Sequence, residues 1–145
     1  MARLYAQFAA VVFLVVGVGG FLTGDAGTLL HHHPEGNLGP VALHLTYVRD
    51  VLDIVIGMAF AFAGFRAGER LAGEIVLTLG VVLLLLAVIG FANPDDATTT
   101  REILGMNMTL PMNIFDAITG ALACLCAAGD PMSARRRASA AAEKT

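Results

Sequence analysis

The sequence predicts an all-α fold: an integral membrane four-helix bundle made of two tandem, parallel helical hairpins. Composition is the first reason, because 57% of the 145 residues are hydrophobic and 14% are charged, with a mean hydropathy of +0.73, unlike soluble domains. The second reason is that four stretches have about the 20 apolar residues that a membrane span requires. They cover about residues 4–22, 44–65, 71–92 and 106–128, so residues 1–129 are expected to form one transmembrane domain.

The first span begins after Arg3, and a secretory signal peptide is the alternative interpretation of this segment. A retained helix is favoured, because the apolar run from Leu4 is long for a signal peptide and no clear cleavage site follows it. The segment also has a counterpart later in the chain, which a removable signal would not need.

Arginine and lysine side chains predict the orientation of the spans. Those near the span ends lie almost all on one side, namely Arg3, Arg66, Arg70, Arg135, Arg136, Arg137 and Lys144. Arg101 alone falls in a loop on the other side. Because basic loops remain in the cytoplasm, we expect a multi-pass protein of the cytoplasmic (inner) membrane with both termini cytoplasmic. Residues 130–145 would form a basic, low-complexity cytoplasmic tail.

The two halves of the chain share sequence, which predicts a duplicated hairpin. Residues 11–21 align with residues 81–91 at an offset of 70, and residues 50–57 align with residues 113–120 at an offset of 63. The difference between the offsets falls in the first outer loop. Since both hairpins would begin in the cytoplasm, they are expected to be parallel repeats related by a pseudo-two-fold axis along the membrane normal.

Asp53 and Asp116 are the most informative residues, because an ionised Asp inside hydrocarbon costs about 2.5 to 3.5 kcal/mol on insertion scales. They occupy the same place in the two repeats, and each shares a helical stripe with polar and small residues. The stripes are Asp50, Asp53, Gly57 and Gly64 in the second span and Asn113, Asp116 and Gly120 in the fourth. Small residues let helices approach closely, so these stripes are expected to face inward, against each other or against glycines of the neighbouring spans.

Arg49 distinguishes the repeats. In the first repeat Arg49 precedes Asp53 by four residues, whereas in the second Met112 precedes Asp116 by four residues. Asp116 must therefore be protonated, hydrogen-bonded by Asn113, Thr119 or a neighbouring helix, or paired with Arg49 across the bundle. The resulting intramembrane polar site consists of Arg49, Asp50, Asp53, Asn113 and Asp116. A structural clasp that fixes helix register is favoured for this site, and a proton or cation site is the alternative.

Other candidate sites carry weaker signals. His31, His32, His33 and His44 lie on the outer side near several methionines, and these residue types can bind copper, zinc or nickel. Adjacent histidines cannot all face one ion, so no metal is expected. Cys124 and Cys126 are two apart, point in different directions on a helix, and are expected to be core residues. No nucleotide-binding loop, hydrolase set or zinc-protease motif occurs, so we expect neither an enzyme nor a cofactor.

The chain opens with Ala2 to Ala6, and a helix rich in Val, Leu and Gly follows and ends in Gly20-Phe21. With a polar phrase before a glycine in its second span, it resembles small four-span bacterial, often actinobacterial, integral membrane proteins of unknown function. Those families commonly carry Asn-x-x-His in that phrase, whereas this chain has Asp50-x-x-Asp53, so no role of the histidine is carried over. The resemblance covers the membrane region and implies a four-helix fold without an activity.

These observations favour a non-enzymatic scaffold or accessory subunit that contacts membrane lipids and belongs to a homo-oligomer or a larger membrane complex, with no nucleic acid. A proton-coupled or cation-conducting carrier that uses Asp53 and Asp116 is the first alternative. A metal-binding sensor at the outer face, built on the histidines and methionines, is the second.

Overall fold

The computed structural model describes residues 1–23, 47–93, 102–103 and 106–129. Four helices run through them: α1 (Ala2–Thr23), α2 (Tyr47–Ala61, continued by a π-helical turn over Phe62–Arg66), α3 (Glu69–Ala92) and α4 (Leu110–Ala128). Two short strands, β1 (Glu102–Ile103) and β2 (Met106–Asn107), pair antiparallel before α4. The predicted all-α class with four helices is confirmed.

Length and surface chemistry make the chain a membrane protein. Helices α1, α3 and α4 are each long and apolar enough to cross a membrane, whereas α2 is shorter and carries three charged residues near its start. Large apolar side chains point outward from the bundle, including Leu4 at 72% and Leu125 at 68% exposed. Lipid can accept such side chains, which water would disfavour.

The last helix begins as late as Thr109 and Pro111 indicate, after the start of the apolar stretch that gave the predicted bounds of its span. Met106 was expected to open the span, but it lies in β2, and α4 begins at Leu110 with Thr109 as its N-cap residue. Pro111 explains the difference, because proline fits the first turn of a helix but cannot continue a helix that started earlier. The second predicted span opened at residue 44, and residues 44–46 lie outside the described part of the chain.

Each hairpin packs its two helices closely through glycine. A Cβ added to Gly57 of α2 would come within 2.9 Å of the Leu14 side chain of α1. The corresponding Gly120 of α4 packs against Leu84 of α3, where an added Cβ would come within 3.0 Å of that side chain. Leu14 and Leu84 differ by the same offset of 70 that aligns the two sequence halves. The small residues therefore allow the same close helix approach in both hairpins.

Burial also follows one pattern in the two hairpins. Each buried position of α3 corresponds to a buried position of α1 at the offset of 70. In α3 these positions are Ala72, Val76, Gly80, Leu83, Ala87 and Gly90, and in α1 they are Ala2, Ala6, Ala10, Phe13, Gly17 and Gly20. The buried positions of α4 likewise correspond to buried positions of α2 and its π-helical turn at the offset of 63. In α4 they are Met112, Asn113, Asp116, Gly120, Ala123 and Ala127, and in the first hairpin they are Arg49, Asp50, Asp53, Gly57, Phe60 and Gly64. The same faces of corresponding helices thus point into the bundle.

Aromatic side chains join the hairpins in the middle of the bundle. Phe13 of α1 packs on Phe60 of its own hairpin, with ring centroids 5.7 Å apart, and on Phe115 of α4, with centroids 5.3 Å apart. The Tyr5 hydroxyl donates a hydrogen bond of 2.6 Å to the backbone carbonyl of Thr119 in α4. Helix α1 therefore contacts the second hairpin through both apolar and polar groups.

The π-helical turn ends α2 against the start of α1. Its Gly64 carbonyl accepts hydrogen bonds from Gln7 Nε2 at 3.1 Å and from Arg3 Nη2 at 3.4 Å. Since the last carbonyls of a helix lack partners within it, these side chains take their place. We call this the Arg3 end of the bundle; the Arg49 end is the opposite one, where α1 and α3 finish and α2 and α4 begin.

Candidate functional site: a buried arginine–carboxylate cluster

Polar side chains inside the bundle are concentrated at one place. Among the described residues, the buried polar or charged side chains are Arg49, Asp50, Asp53, Thr109, Asn113 and Asp116. Asp53 and Asp116 have no exposed surface, and Arg49 is 2% exposed. We call Arg49, Asp50, Asp53, Asn113 and Asp116 the Arg49 cluster. It occupies the first two turns of α2 and of α4, so it lies toward the Arg49 end of the bundle.

Arg49 joins the two hairpins. Its Nη1 donates a hydrogen bond to Asp116 Oδ2 at 2.8 Å, and its Nη2 donates one to Asp116 Oδ1 at 2.5 Å. The two bonds form a bidentate (two-pronged) ion pair between α2 and α4. Its Nε donates to Asp53 Oδ2 at 3.2 Å on the same helix, and Asp53 Oδ1 lies 3.1 Å from the same nitrogen. The rigid fork of a guanidinium suits this arrangement, which lysine could not reproduce. Of the three possibilities that the sequence left open for Asp116, the structure contains the pair with Arg49.

A buried ion pair affects stability mainly through the free-energy cost of removing one partner. Desolvating two charges offsets most of their attraction, so a buried ion pair adds little net stability compared with well-packed apolar residues. Removing one partner leaves an uncompensated buried charge, at a cost of about 3–5 kcal/mol. The energetic weight of the Arg49–Asp116 pair therefore lies in the cost of breaking it.

Three oxygen atoms of the cluster have no hydrogen-bond partner within the described part of the chain: Asp50 Oδ1, Asp53 Oδ1 and Asn113 Oδ1. The Asn113 amide packs onto α3 at Gly90, where a Cβ would overlap it, and its Nδ2 lies 3.4 Å from the Met108 carbonyl. Asp50 lies in the first turn of α2, where free backbone N–H groups and the helix dipole favour a negative charge. Asp53 is deeper in α2 and lacks that support.

The sequence comparisons add a family. A family model described as a domain of unknown function, DUF4383, matches residues 3–137. The chain belongs to the DUF4383 family. This confirms the resemblance to an uncharacterised family that covers most of the chain. In comparisons with curated proteins and with solved structures, nothing matches the chain.

The DUF4383 match includes α1 from Arg3 onward, the whole of α2, α3 and α4, and the complete Arg49 cluster. His31, His32, His33 and His44, the weak metal candidates, lie outside the described residues. Within the described ranges, no three His, Cys, Asp or Glu side chains are grouped so that they could hold a metal ion. Cys124 and Cys126 are half-buried thiols in α4.

The predicted packing glycines contact neighbouring helices rather than each other. Gly57 and Gly120 lie against α1 and α3 respectively, and Gly64 lies against Gln7 of α1. The contacts of Tyr5 and Gln7 were not anticipated. A polar residue in a first span is a weak signal for such contacts, because only the three-dimensional packing shows which backbone carbonyl lies within its reach.

Proposed function

We propose that this DUF4383 protein is a non-enzymatic scaffold or accessory subunit of the cytoplasmic (inner) membrane, in which a buried ion pair clasps two hairpins into one rigid bundle. The single observation that carries the proposal is the two-pronged pair between Arg49 and Asp116, with both side chains at least nine-tenths buried. A buried, directly paired contact suits a structural clasp better than a site that must exchange its ligand.

The proposal includes a duplicated hairpin and cytoplasmic termini. The matching burial of corresponding helix positions and the paired contacts Leu14–Gly57 and Leu84–Gly120 support the duplication. Basic residues at the Arg3 end, including Arg66 at the end of the π-helical turn and Arg70 in the first turn of α3, support a cytoplasmic location for that end. The Arg49 cluster would then lie in the outer half of the membrane.

The proposed partners are membrane lipids together with further copies of the chain or other subunits, and neither nucleic acid nor a cofactor is involved. The apolar outer surface supports a membrane partner. The bundle is small, and Phe13, Phe60 and Phe115 fill its middle, which leaves little room for a pathway through a single copy.

A carrier is the second candidate, and one observation favours it. The Arg49 cluster contains three aspartates but one arginine among the described residues, and carboxylates inside a membrane often mark proton or ion paths. A carrier would need some of these charges to change partners during transport.

Reconstitution into liposomes separates the two candidates. Proton and metal-ion flux would be compared for wild type, Asp53→Asn and Asp116→Asn, with Glu74→Gln as a matched control, because Glu74 lies on the exposed face of α3. The scaffold predicts no flux in wild type. Flux that disappears in folded Asp53→Asn and Asp116→Asn proteins but persists in Glu74→Gln would support the carrier and contradict the scaffold.

The scaffold also predicts an assembly. Extraction of native membranes with a mild detergent should yield the protein in a particle larger than one chain, and Arg49→Met should reduce the amount of that particle. A wild-type protein that migrates as a single chain at its native level, even after cross-linking in the membrane, would contradict this proposal.

A further inference from the structure

Asp50 is the carboxyl group of the Arg49 cluster that has no cation paired with it among the described residues. Arg49 binds the other two carboxylates: its Nε lies within 3.2 Å of both Asp53 oxygens, and its Nη groups hold Asp116. The ion pairs of the described residues do not include Asp50. An ionised Asp50 would therefore add a third negative charge beside a guanidinium that already pairs with two.

The Asp50 side chain is buried, and its Oδ1 accepts no hydrogen bond from the described part of the chain. The residue is 3% exposed. Helix α1 packs closely here, because a Cβ added to Gly17 would come within 2.8 Å of the Asp50 backbone carbonyl oxygen. A carboxylate that loses its hydration needs hydrogen bonds or a counter-ion in exchange, and the described residues supply Oδ1 with neither.

The start of α2 does not take the place of a cation. Asp50 lies in the first turn, where the helix dipole favours a negative charge. That effect is about as large as one ion pair at a protein surface, whereas removing a carboxylate from water without a paired cation costs several times more. The neutral form of Asp50 is therefore favoured.

The second hairpin shows which kind of side chain this position accepts. Asn113 corresponds to Asp50 at the offset of 63, is 2% exposed, and packs on α3 at Gly90. Gly20, the residue of α1 that corresponds to Gly90, is buried as well. Asn113 carries no charge, and its amide nitrogen lies 3.4 Å from the Met108 carbonyl. A protonated aspartic acid has nearly the same shape as asparagine, no charge, and both a donor and an acceptor.

We propose that Asp50 holds an exchangeable proton on its carboxyl group, so that the start of α2 is a buried proton site. The proton makes Asp50 the neutral counterpart of Asn113. The Arg49 guanidinium opposes a proton on the carboxylates that it contacts, but those are Asp53 and Asp116, which offset its charge. The site does not depend on the scaffold proposal, because a bundle that transports nothing can still hold a proton.

The charged groups near Asp50 in the described structure belong to the same cluster, namely Arg49 and Asp53 on α2 and Asp116 on α4. Residues 17–23 of α1 and 87–93 of α3 lie at the same end of the bundle and contain no titratable side chain. Strand β2, which contacts α2, contains none either. Asp53 lies one helical turn from Asp50, so its negative charge further opposes an ionised Asp50.

Infrared spectroscopy of the full-length protein in lipid at neutral pH tests the proposal. A protonated carboxyl group gives a C=O stretching band that shifts in D₂O and on labelling of aspartate with ¹³C. We expect this band in wild type and in Asp53→Asn, the same change one helical turn away, and its loss in Asp50→Asn. Its absence from wild type, its persistence in Asp50→Asn, or its loss in a folded Asp53→Asn protein would overturn the proposal.

The second hairpin supplies a positive control. Asn113→Asp puts a carboxyl group at the equivalent buried position. It should strengthen the same band, because two protonated groups then contribute to it. A folded Asn113→Asp protein with a band of wild-type size would contradict the preference of this position for a neutral group and would count against a proton on Asp50.

The pH dependence of unfolding gives an independent measurement. In the unfolded chain an exposed aspartate is ionised at neutral pH, so the folded state binds more protons, and stability falls as the pH rises. For one proton the unfolding equilibrium constant should rise by at most about tenfold per pH unit. Asp50→Asn should remove this rise, whereas Asp53→Asn should keep it. Equal slopes in wild type and Asp50→Asn would contradict a proton on Asp50.

Discussion

The first hairpin (α1–α2) and the second (α3–α4) share most of their buried positions and pack glycine on leucine in the same way, but they differ in charge. The first contains Arg49 with Asp53, and the second contains Met112 with Asp116. The second hairpin thus has a buried carboxylate that it cannot neutralise alone among its described residues. The comparison shows that the glycine–leucine packing lies within each hairpin, whereas neutralisation of Asp116 depends on the contact between the hairpins.

The largest expected effect comes from removing the shared cation. Arg49→Met leaves Asp53 and Asp116 buried without their arginine and should lower the free energy of unfolding by about 3–5 kcal/mol. Reversible unfolding in mixed micelles measures the change. Arg70→Met is the control: Arg70 pairs with Glu74 at 3.1 Å, but its side chain is 66% exposed, so its loss should cost less than about 1 kcal/mol. Equal losses in the two variants would contradict a special role for the buried arginine.

Moving the arginine to the other hairpin should restore most of this loss. In Arg49→Met combined with Met112→Arg, the new guanidinium can pair with Asp116 on its own helix and with Asp53 across the bundle. In the same unfolding measurement, the free energy of unfolding of the double variant should be well above that of Arg49→Met alone. A double variant as unstable as the single one would show that the hairpins are not interchangeable at this position.

The glycines test the similarity of the hairpins rather than their difference. Gly57→Ala and Gly120→Ala should each lower the free energy of unfolding by about 1–3 kcal/mol, because an added methyl group overlaps Leu14 at residue 57 and the Gly80 carbonyl and Leu84 at residue 120. Gly73→Ala is the control, since nothing lies within 4 Å of a Cβ there, and it should raise helix stability by up to about 1 kcal/mol. A clear difference between the Gly57 and Gly120 variants would break the equivalence of the two helix pairs.

Replacement of Tyr5 is expected to change the free energy of unfolding least. Tyr5→Phe removes the hydrogen bond to the Thr119 carbonyl and should lower the free energy of unfolding by about 0.5–1.5 kcal/mol. The corresponding residue of α3 is Ile75, which has no hydroxyl group, so this contact exists in one direction only. A Tyr5→Phe protein with unchanged stability would mean that the aromatic packing of Tyr5 on Phe60 supplies its whole contribution.

Much of the fold could be predicted from the sequence because helices have a fixed period. Apolar length predicted the four helices, and helical spacing put Asp50, Asp53 and Gly57 on one face, all of which the structure buries. The partner of Asp116 stayed open, because spacing predicts contacts within one helix but not which side chain of a distant helix can reach it. The Arg49–Asp116 pair joins residues 67 positions apart.

Two helix boundaries show the limits of apolar content as a guide. Apolar content set the start of the last span at about residue 106, whereas Thr109 and Pro111 indicate the later start that α4 has. The π-helical turn at Phe62–Arg66 had no sequence signal, because the groups that complete it, Arg3 and Gln7, come from another helix. The predicted second span ends at about residue 65 and this turn ends at Arg66, so the sequence indicated the end of the helix, whereas its π-helical form involves contacts with α1.

The position of Arg49 within its own helix bears on how a nascent chain enters the membrane. Synthesis proceeds from the N terminus, so α2 reaches the bilayer before α4 does. Arg49 and Asp53 lie one helical turn apart and can neutralise each other during insertion, with no help from later residues. Asp116 enters later, in the last helix, when the Arg49 guanidinium is already in the membrane. Because the first hairpin precedes the second, a cation is available to Asp116 as soon as it is inserted.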